Sequence, residues 1–238
     1  MKTANQPIIL NIETSTNVCS VSVSQGINSI FSIADAQGQN HAALLSVFVE
    51  QALQIIRQRA EKPNAVAVSA GPGSYTGLRI GVSTAKGLCF GFEIPLLNVD
   101  TLQVMFEAAR RQIAEIDEYA LFCPMIDARR MEVYDAIYQA DGTVFRPTVA
   151  EVITENSFAE ILRDKTVHFF GNGAEKCKSL LQNPNSQFID NIVPLAENMC
   201  ELSLKKFLDK NFADTAYFEP LYLKEFMATK AKNLLNIE

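Results

Sequence analysis

Histidine is scarce: His41 and His168 are the only two imidazoles in 238 residues. A metal pair on a helix needs two imidazoles one turn apart. His41 is followed four residues later by Leu45, and His168 lies in an apolar stretch, where a satisfied core histidine is the ordinary reading. No metal site is assembled. The five cysteines, Cys19, Cys89, Cys123, Cys177 and Cys200, have no CxxC spacing. An odd, scattered set fits a reducing compartment better than a disulfide framework. No apolar run reaches membrane-spanning length, and residues 1–7 lack the apolar centre of a signal peptide. The expected location is the cytoplasm, with no membrane partner. Positive charge is also short, with a formal net charge of −6. A chain that gripped nucleic acid unaided would be basic, because phosphate neutralisation supplies most of the affinity. If RNA is a partner, another chain brings most of the positive charge.

Several catalytic and nucleotide signatures are missing as well. The P-loop ends in Gly-Lys-Ser/Thr, but Gly77 is followed by Leu78 and Arg79; the dinucleotide fingerprint needs a glycine where Thr76 stands. The GxSxG elbow is absent around Ser74, and nothing in the sequence joins Ser74 and His41 to an aspartate. No catalytic residue is assigned. Ser74 reads as a cap on the turn or helix that follows it.

What is present is a globular composition, 48% hydrophobic and 20% charged, in a chain long enough for two modest domains or one large one. The most specific segment is Gly71-Pro72-Gly73-Ser74-Tyr75-Thr76-Gly77-Leu78-Arg79-Ile80-Gly81, set between an apolar strand at 65–68 and a helix of small residues reaching Phe92. Strand, glycine turn and helix bring backbone close to an anion or to another helix. Gly81 and Gly87 cost about 1 kcal/mol each against alanine inside a helix, so each requires a reason, and close approach of another backbone is the usual one.

Residues 8–13 and 18–24 read as a hairpin around Thr14-Ser15-Thr16-Asn17, with a third strand over 28–34. The pattern repeats at 121–127 and 131–138. Laying Glu13 on Asp127 sets Cys19, Val21 and Val23 on Val133, Asp135 and Ile137, which suggests a duplicated α/β domain. Helices are expected over 41–60, 79–92, 102–116 and 196–208, with another from about Ala174. Strands or extended pieces are expected at 167–170 and 220–223, a loop at 183–186, and a mobile tail over 228–238. The first helix is apolar over half its circumference, wider than one core stripe needs. It serves its own core, a partner chain, or both. Glu13 and Asp127 each end a first strand, where a carboxylate holds water or magnesium near phosphate in some split α/β folds and is simply structural in most. Arg110-Arg111 and Arg129-Arg130 read as solvated basic pairs.

Four segments together resemble a known family: Ile12-Glu13-Thr14-Ser15-Thr16 with Cys19 to Val23, the glycine segment 71–81, Ile126-Asp127-Ala128-Arg129 with Glu132-Val133-Tyr134, and Pro220-Leu221-Tyr222-Leu223. In this order and spacing they are similar to the TsaB (YeaZ) family, related to a glycoprotease group, and the resemblance covers essentially the whole chain. It implies two related α/β domains of the actin-like, sugar-kinase-like and Hsp70-like (ASKHA, ribonuclease H-like) fold, the second degenerate. The cut is expected as 1–104 and 105–238. A C-terminal element can return to the first domain in this architecture. The implied role is a non-catalytic scaffold in making N6-threonylcarbamoyladenosine at adenosine 37 of tRNAs that read codons starting with A. Partners would be a metal-bearing TsaD-type transferase and a TsaE-type ATPase, with a homodimer when the chain is alone and tRNA met only through the complex.

The resemblance further implies that His41 with Leu45 is half of the HxxxH pair by which TsaD-type chains hold their metal. It implies pairing through the first two long helices, with Leu45, Phe48, Val49, Ala52, Ile56, Gly81 and Ala85 as the expected seam. Gly71, Gly73, Ser74, Thr76, Gly77 and Arg79 carry the family glycine motif. Glu13 and Asp127 would be vestigial phosphate hairpins, with glutamate at position 13 where many relatives have aspartate. The chain alone is expected to hold no cofactor, while ATP or ADP, magnesium and a TsaD-held metal belong to the complex. The competing readings are a peptidase, which lacks a nucleophile or metal set, and a sugar-kinase-like nucleotide-binding protein, for which only Glu13 and Asp127 are candidates.

Overall fold

In the computed structural model, which describes residues 6–38, 40–113 and 117–224, two five-stranded sheets share one topology. The first is built from β1 (Ile8–Glu13), β2 (Cys19–Gln25), β3 (Asn28–Asp35), β4 (Ala65–Ser69) and β5 (Leu96–Val99), in the order β3-β2-β1-β4-β5. The second contains β6 (Leu121–Asp127), β7 (Glu132–Gln139), β8 (Val144–Val152), β9 (Val167–Phe170) and β10 (Ser186–Ile189), in the matching order β8-β7-β6-β9-β10. In each, three antiparallel strands continue into two parallel ones. The shared order makes the two halves related α/β domains.

The helices differ between the halves. The first sheet carries α1 (His41–Gln58) and α2 (Tyr75–Phe92) on one face. The equivalent face of the second sheet carries only the four-residue α4 (Ala159–Leu162) and a 3-10 turn at Glu175–Cys177, where the glycine turn 171–173 was expected to open a helix. The second domain is the degenerate one. On the remaining faces the chain crosses over. Helix α3 (Thr101–Gln112) follows the first sheet, but its Leu102, Met105 and Phe106 pack on Phe122, Ile126 and Tyr138 of the second. Helix α5 (Cys200–Leu208), entered through a 3-10 turn at Ala196–Met199, follows the second sheet and packs Met199 and Leu202 against Ile9, Ala67, Leu97 and Val99 of the first. A cut at 104/105 therefore falls inside α3. The C-terminal element returns to the first domain, because each sheet's inner face is covered by the helix of its neighbour.

The repeat also needs one correction. Ile12 pairs with Val21, and Met125 with Asp135, so the second turn is one residue longer. Glu13 then corresponds to Ile126 rather than to Asp127. A one-residue offset sends a side chain to the opposite face of a sheet. The returning strand was aligned correctly: Cys19, Val21 and Val23 line the outer core of the first domain, and Val133 and Ile137 that of the second. The segment 220–223, expected as a short extended piece, joins neither sheet, and its Leu221 N–H donates to the Ala70 carbonyl at 2.7 Å. The expected end of α3 at 114–116 and the tail over 228–238 lie outside the described residues.

Candidate functional site

The glycine segment is a close-packing device between α2 and the first hairpin turn. Ser74 caps α2, its hydroxyl oxygen accepting the Gly77 N–H at 3.2 Å, and its own N–H donates to the Ser15 carbonyl at 2.6 Å. Thr14 donates its hydroxyl to the Gly77 carbonyl at 2.8 Å. A Cβ at Gly73 would collide with the Ser15 carbonyl, at Gly77 with the Thr14 carbonyl, and at Gly81 with the Thr14 hydroxyl. Gly71 has φ +100° and lies under the Leu221 carbonyl. The close approach expected for Gly81 thus exists, but within this chain. Thr76 and Arg79 are exposed, and Arg79 donates to the Tyr75 hydroxyl at 2.7 Å.

The expected partner seam is placed differently as well. Leu45, Phe48, Val49, Ala52, Ile56 and Ala85 all belong to the core against β1, β2 and β4, and none is more than 7% exposed. They are spent on the chain's own sheet, since a two-sheet fold must cover that face and α1 and α2 are the elements that do so. The outward faces of the same helices are open. Val47 on α1 is 51% exposed and Phe90 on α2 is 86% exposed. Ser83, Gly87 and Gly91 form a stripe of small exposed residues on α2, and a Cβ at Gly87 or Gly91 would meet nothing within 4 Å. His41 opens α1 and, as the N–H donor, bonds the Thr16 carbonyl through Nε2 at 2.9 Å, tying the helix to the hairpin turn.

The two hairpin carboxylates are both engaged. Glu13 is fully buried; one oxygen accepts the Ser15 N–H at 2.6 Å, and Oε2 has no hydrogen-bond partner among the described residues. Burial pushes its carboxyl up to about 7. Asp127 is ion-paired with Lys176 and accepts the Arg129 N–H at 2.9 Å. Lys176 also donates to the carbonyls of Arg130 at 2.6 Å and Glu132 at 2.7 Å, filling the second hairpin turn. Sequence reasoning missed this lysine: it is 49 residues from Asp127 and carries no local signal. Among the described residues, no group of three His, Cys, Asp or Glu side chains is placed to hold a metal ion. A glutamate sealed away from the cleft, its charged form disfavoured by burial, and an aspartate neutralised by lysine do not fit a magnesium-bound phosphate.

Between the domains lies a cleft of about 800 Å³, lined by the first turn (Ser15, Thr16), the glycine segment (Gly73 to Thr76), the second turn (Asp127 to Arg130) and the C-terminal residues Leu221 to Lys224. That last segment bridges the mouth. Tyr222 packs on Tyr75 with ring centroids 4.9 Å apart, and Lys224 is ion-paired with Glu132. The chain thus brings all four family segments to one place.

Comparison with known proteins places the whole chain in a family. The profile of the family described as TsaD, tRNA N6-adenosine threonylcarbamoyltransferase, matches residues 32–232. The chain is 29% identical over 233 residues to the tRNA threonylcarbamoyladenosine biosynthesis protein TsaB of Escherichia coli, covering 93% of this chain and 96% of that one. It is 28% identical over 178 residues to the protein of the same name from Bacillus subtilis, covering 74% and 75%. A solved structure from Pseudomonas aeruginosa, described as an uncharacterized protein with similarity to peptidase YeaZ, superposes with a TM-score of 0.78 at 22% identity, over 92% of this chain and all of that one.

Proposed function

The chain belongs to the tRNA N6-adenosine threonylcarbamoyltransferase family, in its TsaB (YeaZ) branch, and from that premise we propose that it serves threonylcarbamoyladenosine biosynthesis on tRNA as a non-catalytic scaffold. The observation that carries the reading is the end-to-end match to a protein named for that biosynthesis. The scaffold role is supported by the state of the hairpin carboxylates, one sealed under the sheet and one tied to Lys176. The transferase chemistry then belongs to a TsaD-type partner holding the metal, with a TsaE-type ATPase completing the set in the cytoplasm.

The partner surface is the outward face of α1 and α2, not the inner seam. Small residues at Ser83, Gly87 and Gly91 let a second helix pair approach closely, and Val47 and Phe90 supply apolar anchors. The chain pairs through the same face with a second copy when the transferase is absent. Leu45→Glu does not test this face, because it buries a charge in the chain's own core.

Reconstitution with the organism's own TsaD-type and TsaE-type subunits tests the function. Supplied with threonylcarbamoyl adenylate as the donor, unmodified tRNA is expected to gain threonylcarbamoyladenosine, with AMP released, with the full set, and neither with this chain alone nor with the set lacking it. Modification by this chain alone, or undiminished modification without it, would overturn the reading. Phe90→Glu and Gly87→Trp test the surface. Each is expected to weaken partner binding about 30-fold, the scale of a lost hot-spot residue, with no loss in melting temperature, because neither position packs inside the monomer. Calorimetric titration and thermal melts read the two effects separately.

A further inference from the structure

Arg129 and Arg130 lie in the turn of the second hairpin in left-handed backbone, with φ of 71° and 52°. L side chains adopt this conformation at a cost, and stability alone favours glycine or asparagine there. Both side chains are exposed at the cleft and have no hydrogen-bond or ion-pair partner among the described residues. The charges around them are already balanced: Asp127 is neutralised by Lys176, and Glu132 by Lys224. Two guanidinium charges are left over at the mouth of the cleft, on a chain whose net charge is −6.

We propose that the Arg129–Arg130 turn is an RNA contact, gripping the phosphodiester backbone of an unpaired segment while a neighbouring base stacks on Tyr222. The inference rests on the tRNA role proposed above. Guanidinium groups match phosphate oxygens in a planar fork. Two free positive charges suit two phosphodiesters, each carrying one negative charge. They do not suit a triphosphate, which brings about four negative charges and normally a divalent cation, for which this cleft has no free carboxylate among the described residues. Tyr222, 37% exposed and packed at a tilt of 42° on Tyr75, which is itself backed by the Arg79 guanidinium at 5.1 Å, is an aromatic surface beside that charge. Unpaired bases stack on such surfaces. With so little positive charge elsewhere, the contact works inside the assembled complex rather than in the chain alone.

The test is Arg129→Asn with Arg130→Asn, since asparagine tolerates left-handed backbone and keeps the turn. The complex of this chain with its TsaD-type partner is titrated with a fluorescent unpaired oligoribonucleotide, and anisotropy is read at several salt concentrations. The variant is expected to bind about tenfold more weakly. Its slope of log affinity against log salt should be shallower by about 1.4, at roughly 0.7 per phosphate on a single strand. The lysine pair variant should fall between, keeping charge but losing the fork. Unchanged affinity and slope in the asparagine variant would overturn the inference, as would displacement of the RNA by metal-free ATP at equal affinity. Modification of tRNA by the wild-type complex is measured alongside. If it occurs while the variant binds RNA normally, the arginine turn alone is wrong; if it does not occur, the functional reading itself has failed.

Discussion

Gly77→Ala is expected to destabilise the protein by about 3 kcal/mol, at the severe end of overpacking, although alanine is the better helix former by about 1 kcal/mol. The reason is geometric. The added methyl points at the Thr14 carbonyl, which belongs to the backbone of the first hairpin turn and has no rotamer to yield with. Moving it would also break the Thr14 hydroxyl bond to the Gly77 carbonyl and disturb the Ser74 to Ser15 backbone bond. Gly87→Ala in the same helix is the control. Its Cβ enters open space, so the propensity gain of up to about 1 kcal/mol is realised and the variant is stabilised. Urea unfolding of the two variants should give opposite signs; the same sign in both would mean that the close approach of α2 to the hairpin is not what fixes Gly77.

That contrast also separates what the sequence made legible from what it did not. The demand for glycine was readable, because an isolated helical glycine carries an identifiable cost. Which surface supplied the close approach was not, since a neighbour 60 residues away in the same chain and a helix of another chain leave the same local pattern. The apolar width of α1 was ambiguous for a related reason. Leu45, Phe48 and Val49 show the helical period of a buried face whether the cover is the chain's own sheet or a partner. The outward residues that remain for a partner, Val47 and Phe90, stand singly in sequence and form no stripe. Clean alternation made β2 visible, and the repeated pattern of an apolar run, an acidic end and a turn did the same for β1, β6 and β7, whereas β5, β8 and β10 were missed. Strands β5 and β10 span only four residues each, and β8 is interrupted by Pro147. The expected helix after Gly173 shrank to a single 3-10 turn because the outer face of the second sheet is covered by short segments rather than long helices.

The duplicated hairpin shows how far a repeat can be trusted. Both returning strands superpose face for face, yet one extra residue in the second turn moves Asp127 out of the position of Glu13. The two carboxylates therefore live in opposite environments. Asp127 is near the surface beside a lysine, and Glu13 lies under the sheet with one unpartnered oxygen. A pair of matched phosphate hairpins would need both acids at one cleft, each free to meet a ligand. Here the second has become an internal ion pair, and among the described residues the charges left over at the cleft are those of the two arginines.

Glu13→Gln is the second large effect, and it is expected as a dependence on pH. The Glu13 carboxyl rises from 4.5 to about 7 on folding because burial disfavours its charged form. A group whose folded pKa is raised contributes its full stability below its unfolded pKa and loses it as pH climbs through the folded value. Wild-type protein should therefore lose stability between about pH 4.5 and pH 7 through this residue, and glutamine, which does not titrate, should not. The difference in unfolding free energy between variant and wild type is expected to move by about 3 kcal/mol in favour of glutamine from pH 4 to pH 8, at 1.36 kcal/mol per pKa unit. Any fixed cost of burying the amide N–H₂ where Oε2 had no partner is the same at every pH and drops out of that movement. Asp135, also raised to about 7 by burial, titrates in both proteins and cancels. Urea unfolding across this range checks the prediction. A difference that stays flat with pH would mean Glu13 keeps an ordinary carboxylate pKa in the folded chain, and is then open enough to water to meet a ligand after all.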